Sequence, residues 1–396
     1  MSVLPFSSRS QTTALKQPKQ LFCYARDIDN KFLFDEEEVR KNHVKYYYLP
    51  DSELDRGIDL SAGIAKFQKI PLEDNLAQFD QFLIALEQWE QHEQKKVDVD
   101  VIAFRGVMRK LMTAIYDGDN NNEQDDEYTC SVVGFDGQVF IAENAEYESK
   151  RLQRERSAPP DEYRAKCEYS GYKFETIATM DKPWSETTRT ELSQRYQKQV
   201  NNYEQYLVGV RTGIHDIKVL MGAEVDCVWD YMPSEKGFKQ VLDHYVELKT
   251  SRTIETPKQM LQFETKLFRT WAQCFLIGVK KIVYGFRDAK LVLRTVESYL
   301  TEEVPKMIKE NPVNKNPVHK RVNCMQALKW YGSILSWLKQ EVSDGKSYLL
   351  VIDQGRQQLR LESASDEQNA QLRSGQLLTE RFINWRQNTS RTQPDN

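Results

Sequence analysis

The chain carries Gly222-Ala223-Glu224-Val225-Asp226-Cys227 and, further along, Glu247-Leu248-Lys249. Both stretches lie in runs with strand character, and alternate residues of a strand point to the same face. Glu224 and Asp226 are therefore predicted to share one face of a strand, and Glu247 and Lys249 to share a face of another. If the two strands are neighbours, three carboxylates and one ammonium group converge on one patch.

Carboxylate oxygens are the ligands that Mg²⁺ and Mn²⁺ prefer. Such ions speed phosphate ester hydrolysis because they neutralise charge and generate hydroxide from bound water; two of them about 4 Å apart clamp the attacking and leaving oxygens. We predict a Mg²⁺ or Mn²⁺ site, with two ions, held by four carboxylates and one backbone carbonyl: Glu175, Glu224, Asp226, Glu247 and Leu248. The alternative is a pair of amphipathic strands with solvated outer faces. Apolar flanks argue against it, because buried carboxylates need partners.

Three further side chains are candidates for contact with the substrate. Lys249 could orient the nucleophilic water or neutralise developing charge, or it could form a structural salt bridge. Arg109 could bind phosphate with its planar fork, although an arginine beside an apolar stripe is usually solvated. Gln273 lies between Trp271 and Phe275 in a predicted helix and could bind a nucleotide or a polar group of the core.

Composition limits the class of protein and its compartment. The 396 residues are 40% hydrophobic and 29% charged, as in soluble globular proteins, and the net charge of −4 gives no basic field for nucleic acid. Any RNA binding must rest on local basic groups and on metal. Six cysteines without a Cys-x-x-Cys pair argue against zinc, and no apolar run approaches the ~20 residues that span a bilayer. We expect a cytosolic or nuclear protein that does not contact membranes.

Periodicity predicts a mixed α/β chain. Helices are expected over residues 75–95 (including Leu76), 104–115, 257–279 and 319–338, and a hairpin around Asp136-Gly137. Thr188-x-x-Glu191 predicts a capped helix reaching residue 203, and residues 171–175 are predicted to form a strand. The expected organisation is a flexible segment at 1–15, a single catalytic domain at 16–361 and a polar, partly disordered segment at 362–396.

Several motifs together resemble the DXO/Rai family of RNA 5′-end hydrolases. Besides the two acidic stretches they are Arg105-Gly106-Val107-Met108-Arg109-Lys110-Leu111, Gly171-Tyr172-Lys173-Phe174-Glu175 and Lys266-Leu267-Phe268-Arg269-Thr270-Trp271-x-Gln273. The likeness extends to residues 12–19, 46–51 and 329–332, so it covers most of the chain. It is closest to the fungal nuclear branch that partners a 5′→3′ exoribonuclease.

The resemblance implies two β-sheets flanked by helices and a nuclease-like metal centre. It implies catalytic roles for Glu224, Asp226, Glu247 and Lys249, and substrate contacts at Met108, Arg109, Lys110, Glu224, Lys249 and Gln273. The family removes abnormal RNA 5′ ends: triphosphates, incompletely methylated caps, NAD caps and, in some members, 5′-hydroxyl ends. A nuclear location and a heterodimer with the exoribonuclease are expected in consequence.

Two alternatives remain open at this point. The chain could be a non-catalytic scaffold that only stabilises the exoribonuclease, or a DNA-cleaving enzyme with the same metal motif. Trp184, in the polar and proline-containing segment Met180-Asp181-Lys182-Pro183-Trp184, is the candidate contact with the partner because tryptophan is frequent in binding hot spots. An ordinary buried anchor is the other interpretation of that residue.

Overall fold

The computed structural model describes residues 1–71, 74, 78–117, 127–233, 241–317 and 321–392. Sixteen strands in this part of the chain form two sheets. They are β1 (Ser2–Pro5), β2 (Leu15–Arg26), β3 (Phe32–Leu33), β4 (Tyr46–Tyr47), β5 (Val101–Phe104), β6 (Thr129–Phe135), β7 (Gln138–Glu143), β8 (Thr179–Met180), β9 (Gln205–Ile214), β10 (Ile217–Glu224), β11 (Cys227–Val228), β12 (Tyr245–Arg252), β13 (Lys281–Arg287), β14 (Leu293–Leu300), β15 (Ser347–Asp353) and β16 (Gln358–Ser363). The ten-stranded sheet has the order β1-β16-β15-β6-β7-β5-β10-β9-β2-β3, and the six-stranded sheet has the order β14-β13-β12-β11-β4-β8.

Twelve α-helices of the described residues cover these sheets. They are α1 (Glu36–Asn42), α2 (Asp51–Leu54), α3 (Phe79–Glu93), α4 (Arg105–Thr113), α5 (Ala145–Ser157), α6 (Glu162–Ile177), α7 (Arg189–Gln194), α8 (Pro257–Ile277), α9 (Val304–Lys309), α10 (Cys324–Glu341), α11 (Asp366–Gln371) and α12 (Glu380–Thr392). The predicted mixed α/β fold with two sheets flanked by helices is confirmed. No helix in the described ranges has the length and apolar content needed to cross a membrane.

Three clusters of buried side chains hold the layers together. The largest joins one face of each sheet through α4, α8 and α10, as in the contacts of Leu111, Trp271 and Trp330. A second packs α3 and α12 on the other face of the ten-stranded sheet, and a third packs α6 on the other face of the six-stranded sheet. The two sheets are therefore connected by α4 and α8, which also reach the acidic residues singled out by the sequence.

The structure contains the hairpin turn and the helix cap that the sequence predicted. Asp136 and Gly137 have φ of 54° and 70°, the left-handed pair that a two-residue hairpin requires, between β6 and β7. The predicted capping box of Thr188 and Glu191 is present, although α7 ends at Gln194 and not near residue 203. Leu76 and His319, both at the starts of predicted helices, and residues 393–396 lie outside the described residues.

Both chain ends differ from their predictions. Residues 1–15 were expected to be flexible, but β1 pairs antiparallel with β16, because two extended segments satisfy each other's backbone groups at the sheet edge. The segment 362–396 was expected to be partly disordered, but α11 and α12 fold there. Four of its apolar side chains are buried in the second cluster: Leu372, Leu377, Leu378 and Phe382. The extent of the single domain at 16–361 stays a prediction.

Candidate active site

The acidic stretch lies where the chain passes from one sheet to the other. β10 ends at Glu224, Val225 N donates to Tyr206 O at 3.0 Å, and Cys227 then pairs with Val246 of β12 in the second sheet. The prediction that Glu224 and Asp226 share one face of a continuous strand is therefore wrong, because β10 ends at Glu224 and β11 begins only at Cys227. Asp226 stands in the crossing, and its Oδ2 accepts from the backbone N–H of Leu248 at 2.6 Å. This hydrogen bond joins the stretch 222–227 directly to the stretch 247–249.

The close approach of strands β10 and β5 at this junction requires a glycine at position 222. A Cβ atom on Gly222 would lie 2.6 Å from the ring of Phe104, because β10 and β5 are parallel neighbours with these two residues in register. Real Cβ contacts are not that short, so another residue here would displace the ring. Gly222 thus allows the start of α4, which follows Phe104, to lie close to Glu224.

Glu247 is the most enclosed carboxylate of the site, with 1% of its surface exposed. Its Oε2 accepts from Nη1 of Arg105 at 3.1 Å, its Oε1 accepts from Nε2 of Gln273 at 2.7 Å, and it pairs with Lys249. The Nζ of Lys249 also lies 3.1 Å from the Leu248 carbonyl oxygen and 3.8 Å from Asp226 Oδ2. Glu247 and Lys249 therefore point to the same face of β12, as the alternation of the strand predicted.

Glu175 reaches the same site from a helix and not from a strand. Residues 171–175 belong to α6, whose N-terminus is capped by Asp161: Oδ1 of Asp161 accepts from the backbone N–H of Arg164 at 2.9 Å. Lys173, two residues before Glu175, points away from the site: its Nζ donates to the Tyr196 carbonyl at 2.9 Å. Glu175 lines the same pocket as Glu224, Asp226 and Glu247 nonetheless.

The four carboxyl groups are buried close together, and each shifts the pKa values of the others. Burial and the Asp226 charge raise the pKa of Glu175 well above its usual value, and burial and the Glu247 charge raise the pKa of Asp226 to about 7. Burial also raises the pKa of Glu224. For Glu247, burial raises the pKa but Lys249 and Arg105 outweigh it, so the pKa is lowered. Four acids thus surround two cations, so ionisation of all four acids would leave more negative charge than Arg105 and Lys249 neutralise.

This donor set fits a divalent metal ion. The available ligands are all oxygens, which suits a hard cation, and the surplus of carboxylates over Arg105 and Lys249 is the charge that such an ion neutralises. Within the described ranges no three His, Cys, Asp or Glu side chains stand in a ready-made metal cage. The carboxylates are engaged by Arg105, Lys249, Gln273 and the Leu248 N–H, so metal binding requires them to exchange some of these contacts.

Arg105 is a site residue that the sequence analysis missed. Arg105 is the first residue of α4; it is only 7% exposed and is the buried partner of Glu247. Burial lowers its pKa, but the Glu247 charge outweighs burial and raises it. The partner is 142 residues away in sequence, and no local signal announces such a contact. The pocket is completed by other residues for which the sequence predicted no role: Tyr172, Asn201, Asn202, Glu204 and Gln205.

The predicted substrate contacts on α4 are only partly supported by position. Met108 is fully buried in the core, so its side chain does not face the pocket. Lys110 pairs with Glu143 and lies over the Tyr128 ring at 4.2 Å, so it does not face the pocket either. Because α4 turns these two side chains toward the core and the first sheet, the substrate contacts at Met108 and Lys110 stay predictions. Arg109 is half-buried, and its role in substrate binding stays a prediction.

Trp184 lies on the surface, as the partner-contact prediction required. Its side chain is 57% exposed, and its ring stacks on Tyr48 with 4.8 Å between centroids. The partner contact itself stays a prediction.

Comparison with known proteins agrees with this geometry. Residues 16–383 match the family described as RAI1-like PD-(D/E)XK nucleases. The Decapping nuclease RAI1 of Candida albicans is 48% identical over 97% of this chain and 98% of the relative, and that of Saccharomyces cerevisiae is 37% identical over 96% of each.

Two solved structures share the whole fold. The structure of Candida albicans Rai1 in complex with pU5–Mn²⁺ has a TM-score of 0.91 and 47% identity, covering 98% of this chain and 99% of that one. The structure of Scheffersomyces stipitis Rai1 with (3′-NADP)⁺ and a calcium ion has a TM-score of 0.89 and 44% identity, covering 98% and 100%. The predicted family and enzyme class are confirmed: this chain belongs to the RAI1-like PD-(D/E)XK nuclease family.

Proposed function

We propose that this protein is a metal-dependent hydrolase that removes abnormal 5′ ends from RNA. The observation that carries the proposal is the meeting of Glu175, Glu224, Asp226 and Glu247 around Lys249, although they come from a helix, two strands and the crossing between the sheets. The names and bound nucleotides of its relatives, decapping nucleases and Rai1 structures with pU5–Mn²⁺ or (3′-NADP)⁺, support RNA 5′ ends as the substrate class.

Each side chain has a role that its position suits. The four carboxylates and the Leu248 carbonyl would hold Mg²⁺ or Mn²⁺, in a site for two ions, and the bound metal would supply a polarised phosphate and an acidified water. Lys249 and Arg105, both protonated, would donate hydrogen bonds to the oxygens of the attacked phosphate. Gln273 would leave Glu247 and orient the RNA end. Addition of water to the α-phosphorus of a triphosphate end would release pyrophosphate and leave a 5′-monophosphate.

The substrates that we propose are the 5′-triphosphate, the incompletely methylated cap, the NAD cap and the 5′-hydroxyl end. They share a phosphate linkage near the 5′ terminus and differ in the group beyond it. Discrimination among them then depends on the pocket wall formed by Tyr172, Asn201, Asn202 and Gln205. The product with a 5′-monophosphate would be passed on for degradation.

The catalytic proposal is tested by removing two acids from the crossing. The Glu224→Ala/Asp226→Ala double variant should lose cleavage of triphosphate-ended RNA while keeping its fold, checked by circular dichroism. Unchanged cleavage would show that these residues are not catalytic. Single-stranded DNA of the same sequence, assayed in parallel, tests whether the enzyme is specific for RNA.

We also propose that the protein works in the nucleus as the partner of a 5′→3′ exoribonuclease, which it would stabilise. A purely structural scaffold is the second candidate, and the double variant separates the two roles: a scaffold would lose nothing when the acids are removed. The exposed ring of Trp184, stacked on Tyr48, supports a docking role. Trp184→Ala should weaken capture of the exoribonuclease without reducing hydrolysis, and capture at the parental level by a folded variant would eliminate this contact.

A further inference from the structure

Two basic side chains lie together outside the active site without an acidic partner. Lys266 of α8 and Arg287 at the end of β13 are close enough to influence each other's charge, and Nζ of Lys266 lies 3.4 Å from the hydroxyl of Ser251. Nε of Arg287 is buried and has no hydrogen-bond partner. Within the described part of the chain, neither residue forms an ion pair with a carboxylate. Charged side chains of this protein that are more deeply buried do form ion pairs in several places, for example Arg386 with Glu90.

This arrangement is unfavourable without an anion. Like charges repel, and a buried N–H without an acceptor has lost its water without compensation. Burial and the Arg287 charge lower the pKa of Lys266 in agreement with this. The Lys266 side chain is nevertheless accessible to solvent, so a ligand can reach it. An anion that accepts from Lys266, Arg287 and Ser251 would satisfy all three groups together.

The cluster is aligned with the active site along two elements. On β12, Glu247, Lys249 and Ser251 point to the same face, and each step of two residues advances about 7 Å. On α8, Gln273 contacts Glu247, and Lys266 is seven residues earlier on the same helix, two turns or about 10 Å away. Ser251 and Lys266 therefore continue the line that begins at the catalytic carboxylates, and Arg287 lies at the end of the neighbouring strand, in register with Arg252.

We propose that Ser251, Lys266 and Arg287 form a subsite for a backbone phosphate of the RNA substrate, on the 3′ side of the end that is hydrolysed. The inference rests on the proposed function and adds the location of the RNA body. Arginine forks, ammonium groups and hydroxyls are the usual protein contacts to phosphate oxygens. A chain of net charge −4 needs such a local group of cations to hold RNA at all. Lys266 is about 10 Å along α8 from Gln273, which contacts the catalytic Glu247. At this distance the subsite would hold an internucleotide phosphate and not the phosphate that is hydrolysed.

The proposal predicts an effect that depends on RNA length. The substrates are a triphosphate-ended dinucleotide and a longer RNA that begins with the same dinucleotide. Lys266→Gln and Arg287→Gln should each raise KM for the longer RNA about tenfold, with kcat unchanged, because each removes a charged hydrogen bond. The dependence of log KM on log salt should fall by about 0.7 for each lost phosphate contact. KM for the dinucleotide should stay at the parental value.

Controls keep the outcomes distinct. Lys258→Gln, an exposed lysine near the N-terminus of the same helix, should change neither KM, and Lys266→Arg should retain the affinity for the longer RNA. Equal KM values of parent and Lys266→Gln for the longer RNA, or equal shifts for both lengths, would overturn the inference. Inhibition of the parent by inorganic phosphate without any length dependence would also overturn it, in favour of a free-anion site. If the parent hydrolyses neither RNA, the proposed function itself has failed.

Discussion

Replacement of Arg105 by methionine probes the electrostatic balance of the site most sharply. Arg105 and Glu247 form an ion pair at 3.1 Å with side chains that are 9% and 2% exposed, so neither charge can turn to water when the other is removed. Breaking a buried pair by removing one partner costs about 3–5 kcal/mol. Glu247 keeps Lys249 and Gln273, and we therefore expect Arg105→Met to lower the free energy of unfolding by about 3 kcal/mol, the lower end of that range.

The sign of the pH dependence follows from the pKa of Glu247. That pKa is lowered in the folded protein, so the carboxylate contributes stability above its unfolded pKa and loses it as the pH falls through the folded value. In Arg105→Met the pKa of Glu247 rises because one of its two cations is gone. The difference between parent and variant should therefore be large at neutral pH and shrink in acid. Divalent metal should restore part of the loss, since it supplies the missing positive charge.

The assay is urea unfolding in the presence of a chelator, followed by circular dichroism and by tryptophan fluorescence so that a single transition can be verified. Arg294→Met is the matched control, because Arg294 pairs with Asp288 at 2.6 Å but is 53% exposed, and exposed pairs contribute about 0–1 kcal/mol. If Arg105→Met loses no more stability than Arg294→Met, Arg105 does not neutralise the buried cluster and the reasoning is refuted.

Three further predictions concern the same architecture. Metal-free protein should become less stable as the pH rises from about 4 to about 7, because the pKa of Asp226 is raised to about 7 and the folded state holds that proton longer; thermal melts of Asp226→Asn should show a weaker decline, and an unchanged decline would contradict this. Gly222→Ala should cost about 1–3 kcal/mol and lower kcat, because the new methyl group would push against Phe104 beside the site; a parental urea midpoint would exclude the clash. Arg386→Ala should cost about 3–5 kcal/mol, because its partner Glu90 would be left buried; a loss below 1 kcal/mol would mean that α12 does not stabilise the domain.

Signals in the sequence predicted those parts of the molecule that short-range chemistry determines. The left-handed turn at Asp136-Gly137 requires residues that tolerate positive φ, and the capping box at Thr188 requires two side chains three residues apart. Glu247 and Lys249 were placed correctly on one strand face, because alternation is a property of any strand. In these cases all interacting atoms lie within one element.

The remaining features depend on contacts between distant segments. Residues 171–175 alternate like a strand over five positions, a window too short to separate the two periods, and their helix is set by the cap at Asp161 and by packing of Phe174. Arg105 is identified only by its distant partner Glu247. The ends of the chain were predicted to be flexible from their polarity, yet pairing of β1 and burial of Phe382 hold them in the fold.

Titration of Mn²⁺ into the metal-free protein by calorimetry, in buffers of different ionisation enthalpy, tests the central claim most directly. We predict saturable binding with release of protons, because the protonated carboxyls with raised pKa values, Glu175 and Asp226, must ionise to become ligands. Glu224→Gln/Asp226→Asn should abolish the binding. A parent that binds no Mn²⁺, or a double variant that binds it as the parent does, would contradict the assignment of these carboxylates as a metal centre.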